Sequence, residues 1–110
     1  MVVTALDQGM CLDVAGGSSC IVFDRHGGDN QRFKMRYMHG KYAFYSEANG
    51  GSMEVPGGSQ DSGINIAVSQ PNNTPNEFWD ILPVEGQHNL YYIRSFCGKF
   101  LDVAGGNAQN

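Results

Sequence analysis

Cys11-Leu12-Asp13-Val14-Ala15-Gly16-Gly17 returns near the other end of the chain as Phe100-Leu101-Asp102-Val103-Ala104-Gly105-Gly106. A third, eroded copy, Ser52-Met53-Glu54-Val55-Pro56-Gly57-Gly58, lies between them. The central acids Asp13, Glu54 and Asp102 are 41 and 48 residues apart, a period at which one supersecondary unit repeats to build a symmetric or stacked fold. In each copy apolar residues flank the acid and a glycine pair ends the phrase, as in a strand running into a tight turn.

Outward from the first copy, residues 2–6 and the phrase itself read as strands. Residues 20–23 form a compact apolar run and residues 30–38 alternate as a half-buried strand would. The second unit repeats the order with strands at 42–45, 52–55, 64–68 and 76–82. Pro71 and Pro75 lie in the loop between the last two, because proline cannot donate to a ladder. The third unit opens at 90–96 and reaches the restored phrase. A second landmark lies in phase with the first: Asn30-Gln31-Arg32-Phe33 answers Asn76-Glu77-Phe78-Trp79, 18 residues after Asp13 and 23 after Glu54. The equivalent place in the third unit lies past Asn110, so that unit is expected to lack its last two strands. The reading is an all-β, single-domain chain of 110 residues in three units, approximately 1–39, 40–86 and 87–110.

Composition narrows the function. A hydrophobic fraction of 41% with 16% charged residues fits a globular domain, and no apolar run approaches the roughly 20 residues of a membrane-spanning helix. The net charge of −4, with Lys and Arg scattered singly, leaves no basic stripe for phosphate backbones, so nucleic acid is an unexpected partner. The N-terminus does not read as a signal peptide. Three cysteines, Cys11, Cys20 and Cys97, allow at most one internal disulfide. The redox compartment is left open, with an extracellular setting the favoured one. Cys11 and Cys20 lie on neighbouring strands and either pair or are buried as thiols. Asn72-Asn73-Thr74 matches a glycosylation sequon, weakened by Pro75.

These residues resemble the ricin B-type lectin family, whose β-trefoil has three four-strand units carrying a Cys-Leu-Asp-Val-like phrase and a later Gln-x-Trp. The best-matched run, Phe23-Asp24-Arg25-His26-Gly27-Gly28-Asp29-Asn30-Gln31-Arg32-Phe33, is similar to the family's Trp-Asp-x-Asn-Gly-Gly-Asp-Asn-Gln-x-Trp. The resemblance implies a six-stranded barrel capped by hairpins. Closing it calls for residues beyond Asn110, the expected case, or for a second copy or partner chain. It also implies a metal-free, cofactor-free, non-catalytic domain that binds glycans ending in galactose or N-acetylgalactosamine. A trefoil serving protein contacts with a vestigial sugar site is the alternative.

By this resemblance Asp13 is the acid that accepts from adjacent sugar hydroxyls, Phe23 the stacking platform, and Asn30 and Gln31 the amide positions, with His26 beside the platform a further candidate. An ionised carboxylate independently suits the first role, since its two oxygens accept two donors at once. The plainer readings are a solvated strand acid for Asp13, a core ring for Phe23, and a loop-closing amide for one of Asn30 and Gln31. On the first reading, Asp13→Ala abolishes galactose binding and leaves the melt unchanged. In the second unit Glu54, Ala67 and Glu77 replace acid, platform and amide, so that pocket is expected to be dead. The third retains Asp102, half of a site. Asp13 and Asp24 as a glycosidase pair would need a secluded cleft that nothing in the sequence promises.

Overall fold

Three β-hairpins face one another around a common axis, each built from one copy of the repeated phrase and the strand after it. The structure is a computed structural model and describes residues 1–5 and 7–110. The first hairpin is β1 (Met10–Ala15) with β2 (Ser19–Asp24), and the chain then passes to β3 (Phe33–Met38) and β4 (Lys41–Ser46). The second is β5 (Ser52–Glu54) with β6 (Ala67–Ser69), followed by β7 (Asp80–Pro83) and β8 (Tyr91–Arg94). The third is β9 (Asp102–Ala104) with β10 (Asn107–Gln109). Among the described residues there is no α-helix; short 3-10 turns occur at Asp29–Gln31, Pro56–Gly58 and Pro75–Glu77.

The glycine pair of the phrase explains the last hairpin. Ala104 pairs with Asn107 across a two-residue loop in which Gly105 and Gly106 have φ of 57° and 79°. Two successive positive φ values match the right-handed twist of the strands, and glycine adopts them without a Cβ penalty. β10 also corrects the expectation that the third unit lacks its last two strands. Its third strand forms, because its backbone groups have partners waiting: Asn107 pairs with Ile21 of β2, and Ala108 O accepts from Ile66 N at 2.8 Å.

At the axis Cys20, Ile66 and Ala108 meet, all buried, with Cys20 N donating to Ile66 O at 3.0 Å. Leu12, Val22, Met53, Val55 and Phe44 complete the core, and Trp79 is its largest fully buried side chain. Trp79 joins two units: its indole N–H donates to Met53 O at 3.0 Å, and its backbone exchanges two 2.8 Å bonds with Tyr42. Apolar area of this size is what drives a small all-β core. Cys11 and Cys20 are buried as free thiols, with no disulfide among the described residues.

Other strand expectations shift for identifiable reasons. Residues 30–32 and 76–78 are not strand: each sits in or beside a 3-10 turn that reverses the chain before β3 or β7. β3 forms, but without the expected half-buried alternation: residues 34–37 are all exposed, Met35 and Tyr37 more than half. Beyond Phe33 the β3 side of the hairpin lies outside the core while its partners Ala43 and Phe44 on β4 are buried, and the Tyr37 ring meets Tyr42 edge to face with centroids 5.0 Å apart. Of residues 2–6, Val3 makes an isolated bridge to Cys11, while residue 6 lies outside the described residues. Residues 2–5 and β8 flank an apolar cleft of about 410 Å³ that includes Tyr91, Tyr92 and Leu101. The corresponding places beside β4 and β8 are taken by β3 and β7.

Candidate functional site

The two faces of the first hairpin have different fates. Leu12, Cys20 and Val22 turn to the core. In the paired register Cys11 opposes Phe23 and Asp13 opposes Ile21, and directly opposed residues share a face of the sheet, so these four look the other way. The loop between β2 and β3 folds back over that second face. Arg25 N donates to Gly9 O at 2.9 Å, and the Asp29–Gln31 turn packs on β1.

Gln31 ties this loop down. It is fully buried, and its Oε1 accepts from His26 N at 2.8 Å and Gly27 N at 3.1 Å. Its Nε2 donates to Asp13 Oδ2 at 3.0 Å and to Asp24 O at 2.7 Å. Both amide hydrogens and both carbonyl lone pairs are therefore in use, leaving Gln31 nothing with which to touch a ligand directly. Asn30 is half-buried and donates its Nδ2 to Asp13 Oδ1 at 2.9 Å.

Asp13 departs from the plain sequence reading: it is 4% exposed. Strand alternation puts it opposite Leu12 and Val14, but the returning loop covers it. Two amide donors, one per oxygen, make this burial tolerable, because a buried charge is costly unless hydrogen-bonded. A carboxylate has about four lone-pair sites, so the two amide donors do not exhaust the acceptor capacity of Asp13. The same charge, after burial itself, pushes the neighbouring Cys11 thiol up.

Phe23 is half exposed, which removes the core reading. His26 stands beside it with ring centroids 6.4 Å apart and planes at 71°. The His26 Nδ1 accepts from Gly28 N at 3.1 Å, and its Nε2 lies 3.6 Å from Asp13 Oδ2. Asp13, Asn30 and Gln31 are thus brought into one network, with His26 over Asp13 and Phe23 edge-on to His26. Gly28 was missed in the sequence. A Cβ there would come within 2.9 Å of the His26 ring and 3.0 Å of Asn30 Oδ1, so glycine lets the ring lie flat on the loop. The only sequence signal for this was the Gly27-Gly28 pair.

The second unit has the same scaffold with different chemistry. Glu54 accepts from Ser69 Oγ at 2.6 Å and Asn76 Nδ2 at 3.1 Å. Glu77, 3% exposed, accepts from Asn72 N and Thr74 N, five and three residues before it, where Gln31 Oε1 accepts from His26 N and Gly27 N, five and four before it. The register corrects one assignment. Glu54 pairs with Ala67 as Asp13 pairs with Ile21, and Ser52 pairs with Ser69 as Cys11 pairs with Phe23. The platform position is therefore Ser69, not Ala67, and it still carries no ring. In the third unit Asp102 is exposed, opposes Gln109, and accepts from its neighbour Val103 N at 2.8 Å. It is not joined to the Asp13 network. Among the described residues no three His, Cys, Asp or Glu side chains are grouped to hold a metal.

Three hairpins around an axis, linked by strand pairs into a barrel, are a β-trefoil. Residues 29–110 match the family described as ricin-type β-trefoil lectin domain-like, and the chain belongs to that family. Among solved structures, a designed three-fold symmetric protein, ThreeFoil, superposes with a TM-score of 0.82 at 24% identity, over 92% of this chain and 79% of that one. A ricin B-like lectin from Macrolepiota procera, solved with lactose, gives 0.82 at 20% identity, over 99% and 81%. The exo-β-1,3-galactanase 1,3Gal43A from Clostridium thermocellum gives 0.79 at 23% identity, over 89% of this chain and 24% of that one. These likenesses establish the fold. No curated protein matches the sequence.

Proposed function

We propose that residues 1–110 act as one non-catalytic carbohydrate-binding domain whose working site is the Asp13 pocket, with galactose or N-acetylgalactosamine as the expected terminal sugar. The observation that carries this is a half-exposed Phe23 ring on the same hairpin face as a carboxylate already oriented by two amides. The ring offers a face to the C–H side of a pyranose. Asp13 offers its remaining lone pairs to adjacent hydroxyls, and Asn30 and Gln31 hold it in place. A site with one ring and a few polar contacts binds weakly, on the order of 1 mM or about −4 kcal/mol, so useful avidity comes from several sites.

Phe23→Ala is the cleaner test, because a half-exposed ring contributes little to stability. Titration with galactose is expected to show binding lost while the melt stays close to wild type. Undiminished affinity in that variant overturns the assignment. Asp13→Ala is also expected to abolish binding, but the structure changes the forecast for its melt. The variant strands the Gln31 and Asn30 amides and loses about 1–3 kcal/mol of stability in chemical denaturation.

A protein-contact role is the second reading, favoured by the exposed Tyr91, Tyr92 and Val3 around the apolar cleft. Large exposed apolar surface of this kind marks interaction sites. A folded wild type that binds no glycan on an array would favour it over the first.

A further inference from the structure

One backbone bridge recurs in each unit: Val3 against Cys11, Tyr45 against Ser52 and Arg94 against Phe100. The residue after it makes the same bond each time, with Thr4 N donating to Met10 O at 3.1 Å, Ser46 N to Gly51 O at 2.8 Å and Ser95 N to Lys99 O at 2.7 Å. Val3, Tyr45 and Arg94 are therefore equivalent. Successive residues of an antiparallel strand turn their N–H and C=O to opposite edges. Val2 O and Thr4 N are bonded to β1, which leaves the Val3 N–H and C=O on the outer edge. At Tyr45 that edge is taken by Lys34 of β3, and at Arg94 by Asp80 of β7. At Val3, which is 38% exposed, neither group has a hydrogen-bond partner among the described residues.

Beside this edge lies the apolar cleft of about 410 Å³, which reaches Leu12, Val22 and Ala108 of the core. In the sister places the aromatic residue that leads the paired strand turns inward. Phe33, opposite Ser46, packs against the core, and Trp79 is buried in it with its indole on Met53 O. Leu101 holds the place of Met53 in the repeated phrase, and it lines the cleft. Asp102 is the one charged residue among the described residues that line it.

We propose that this edge and cleft form a peptide-binding site: an extended segment of a partner protein adds as an antiparallel strand along residues 2–4 and sets a large aromatic side chain into the cleft. Backbone bonds then give attachment and the cleft gives selectivity. Phe33 and Trp79 are already seated in their own units, so a second copy has no spare strand of this kind to offer. The sister ladders dictate the sequence that fits. The aromatic stands opposite Thr4, and the next two residues oppose Val3 and Val2. Asp80 holds the middle position in the second unit because Lys41 and Arg94 pair with it at 2.8 and 3.0 Å. Val3 offers no charge, so here that position calls for an uncharged β-branched residue. Leu12 faces this cleft and Asp13 the other side of the same hairpin, so the site stands whether or not the Asp13 pocket binds sugar.

Two labelled peptides test this against the 1–110 chain by fluorescence anisotropy: one copies residues 76–83, the other is the same with Asp80→Val. The second is expected to bind about tenfold more tightly, since it leaves no charge unpaired against Val3. In Val3→Arg, which rebuilds the Arg94 pairing, the order should reverse; an order unchanged by that substitution overturns the register. Methylating the peptide nitrogen at position 80 should weaken binding about tenfold, because it removes the donor to Val3 O and leaves the protein untouched. Equal affinity for the methylated peptide overturns strand addition. Trp79→Ala in the peptide should abolish binding, and retention would show that the cleft takes no aromatic. Amide shifts on binding should gather at Val3, Ile93 and Leu101. Shifts gathered at Tyr42 and Met53, where Trp79 of the folded chain sits, would mean that the peptide displaces β7, and would overturn the proposal, as would no binding of the Asp80→Val peptide at about 1 mM.

Discussion

Gln31 and Glu77 occupy one position in two units and show what a residue type can and cannot say. Both are buried and both take the amides of a returning loop, at His26 and Gly27 in one case and at Asn72 and Thr74 in the other. Only Gln31 also has donors to give, and Asp13 Oδ2 and Asp24 O receive them. Gln31→Glu would turn a donor into a second buried carboxylate against Asp13, and is expected to cost about 3 kcal/mol or more at neutral pH. Acidification should relieve part of that loss as the pair takes up a proton. Glu77→Gln keeps an acceptor for the same amides and should cost less than about 1 kcal/mol. Denaturant titrations of both variants at two pH values check the contrast; equal losses would mean that the Asp13 contact carries no special weight.

At the level of elements, the hairpins decide which positions correspond. Asp13 against Ile21, Glu54 against Ala67 and Asp102 against Gln109 are one place seen three times. The connecting loops differ in length, so counting forward from the acid stops at residue 64 in the second unit, five residues short of Ser69, where the ladder places the position opposite Ser52. The axial contact between hairpins also has a titratable member. Burial, with Asp13 a smaller contributor, pushes the Cys20 thiol from its ordinary 9.0 up to about 12. The unfolded chain therefore releases a proton above about pH 9 that the folded chain retains. The stabilisation from this group is complete below the lower value and is lost as pH rises toward the upper one, at up to about 1.4 kcal/mol per unit. Unfolding free energies of wild type and Cys20→Ala should converge through that alkaline window; a gap that stays constant would show that the thiol proton is not held by the fold.

Across the whole molecule, Trp79 ties the second unit's final turn to β5 and β4 and fills the barrel. Phe33, its counterpart in the first unit, is smaller and only partly buried. Trp79→Ala is expected to cost about 3–5 kcal/mol, read by circular dichroism because it removes the chain's sole tryptophan. A much smaller loss would mean that the barrel collapses readily onto the vacancy. The apolar cleft between residues 2–5 and β8 reaches the core residues Leu12, Val22 and Ala108.

The amino-acid sequence by itself determined the three units, their hairpins and the acid at the heart of each, because period-two patterning, glycine turns and a repeated phrase are local properties. It also placed Asn30 and Gln31 in phase with Asn76 and Glu77. Only the tertiary structure decided that Asp13 is covered, that Gln31 is saturated by four hydrogen bonds, and that Phe23 stays in the open. These outcomes depend on a loop folding back over 17 and 18 residues to close the bonds from Asn30 and Gln31 to Asp13. Burial and hydrogen-bond saturation are properties of that closure, and no single stretch of the chain carries them.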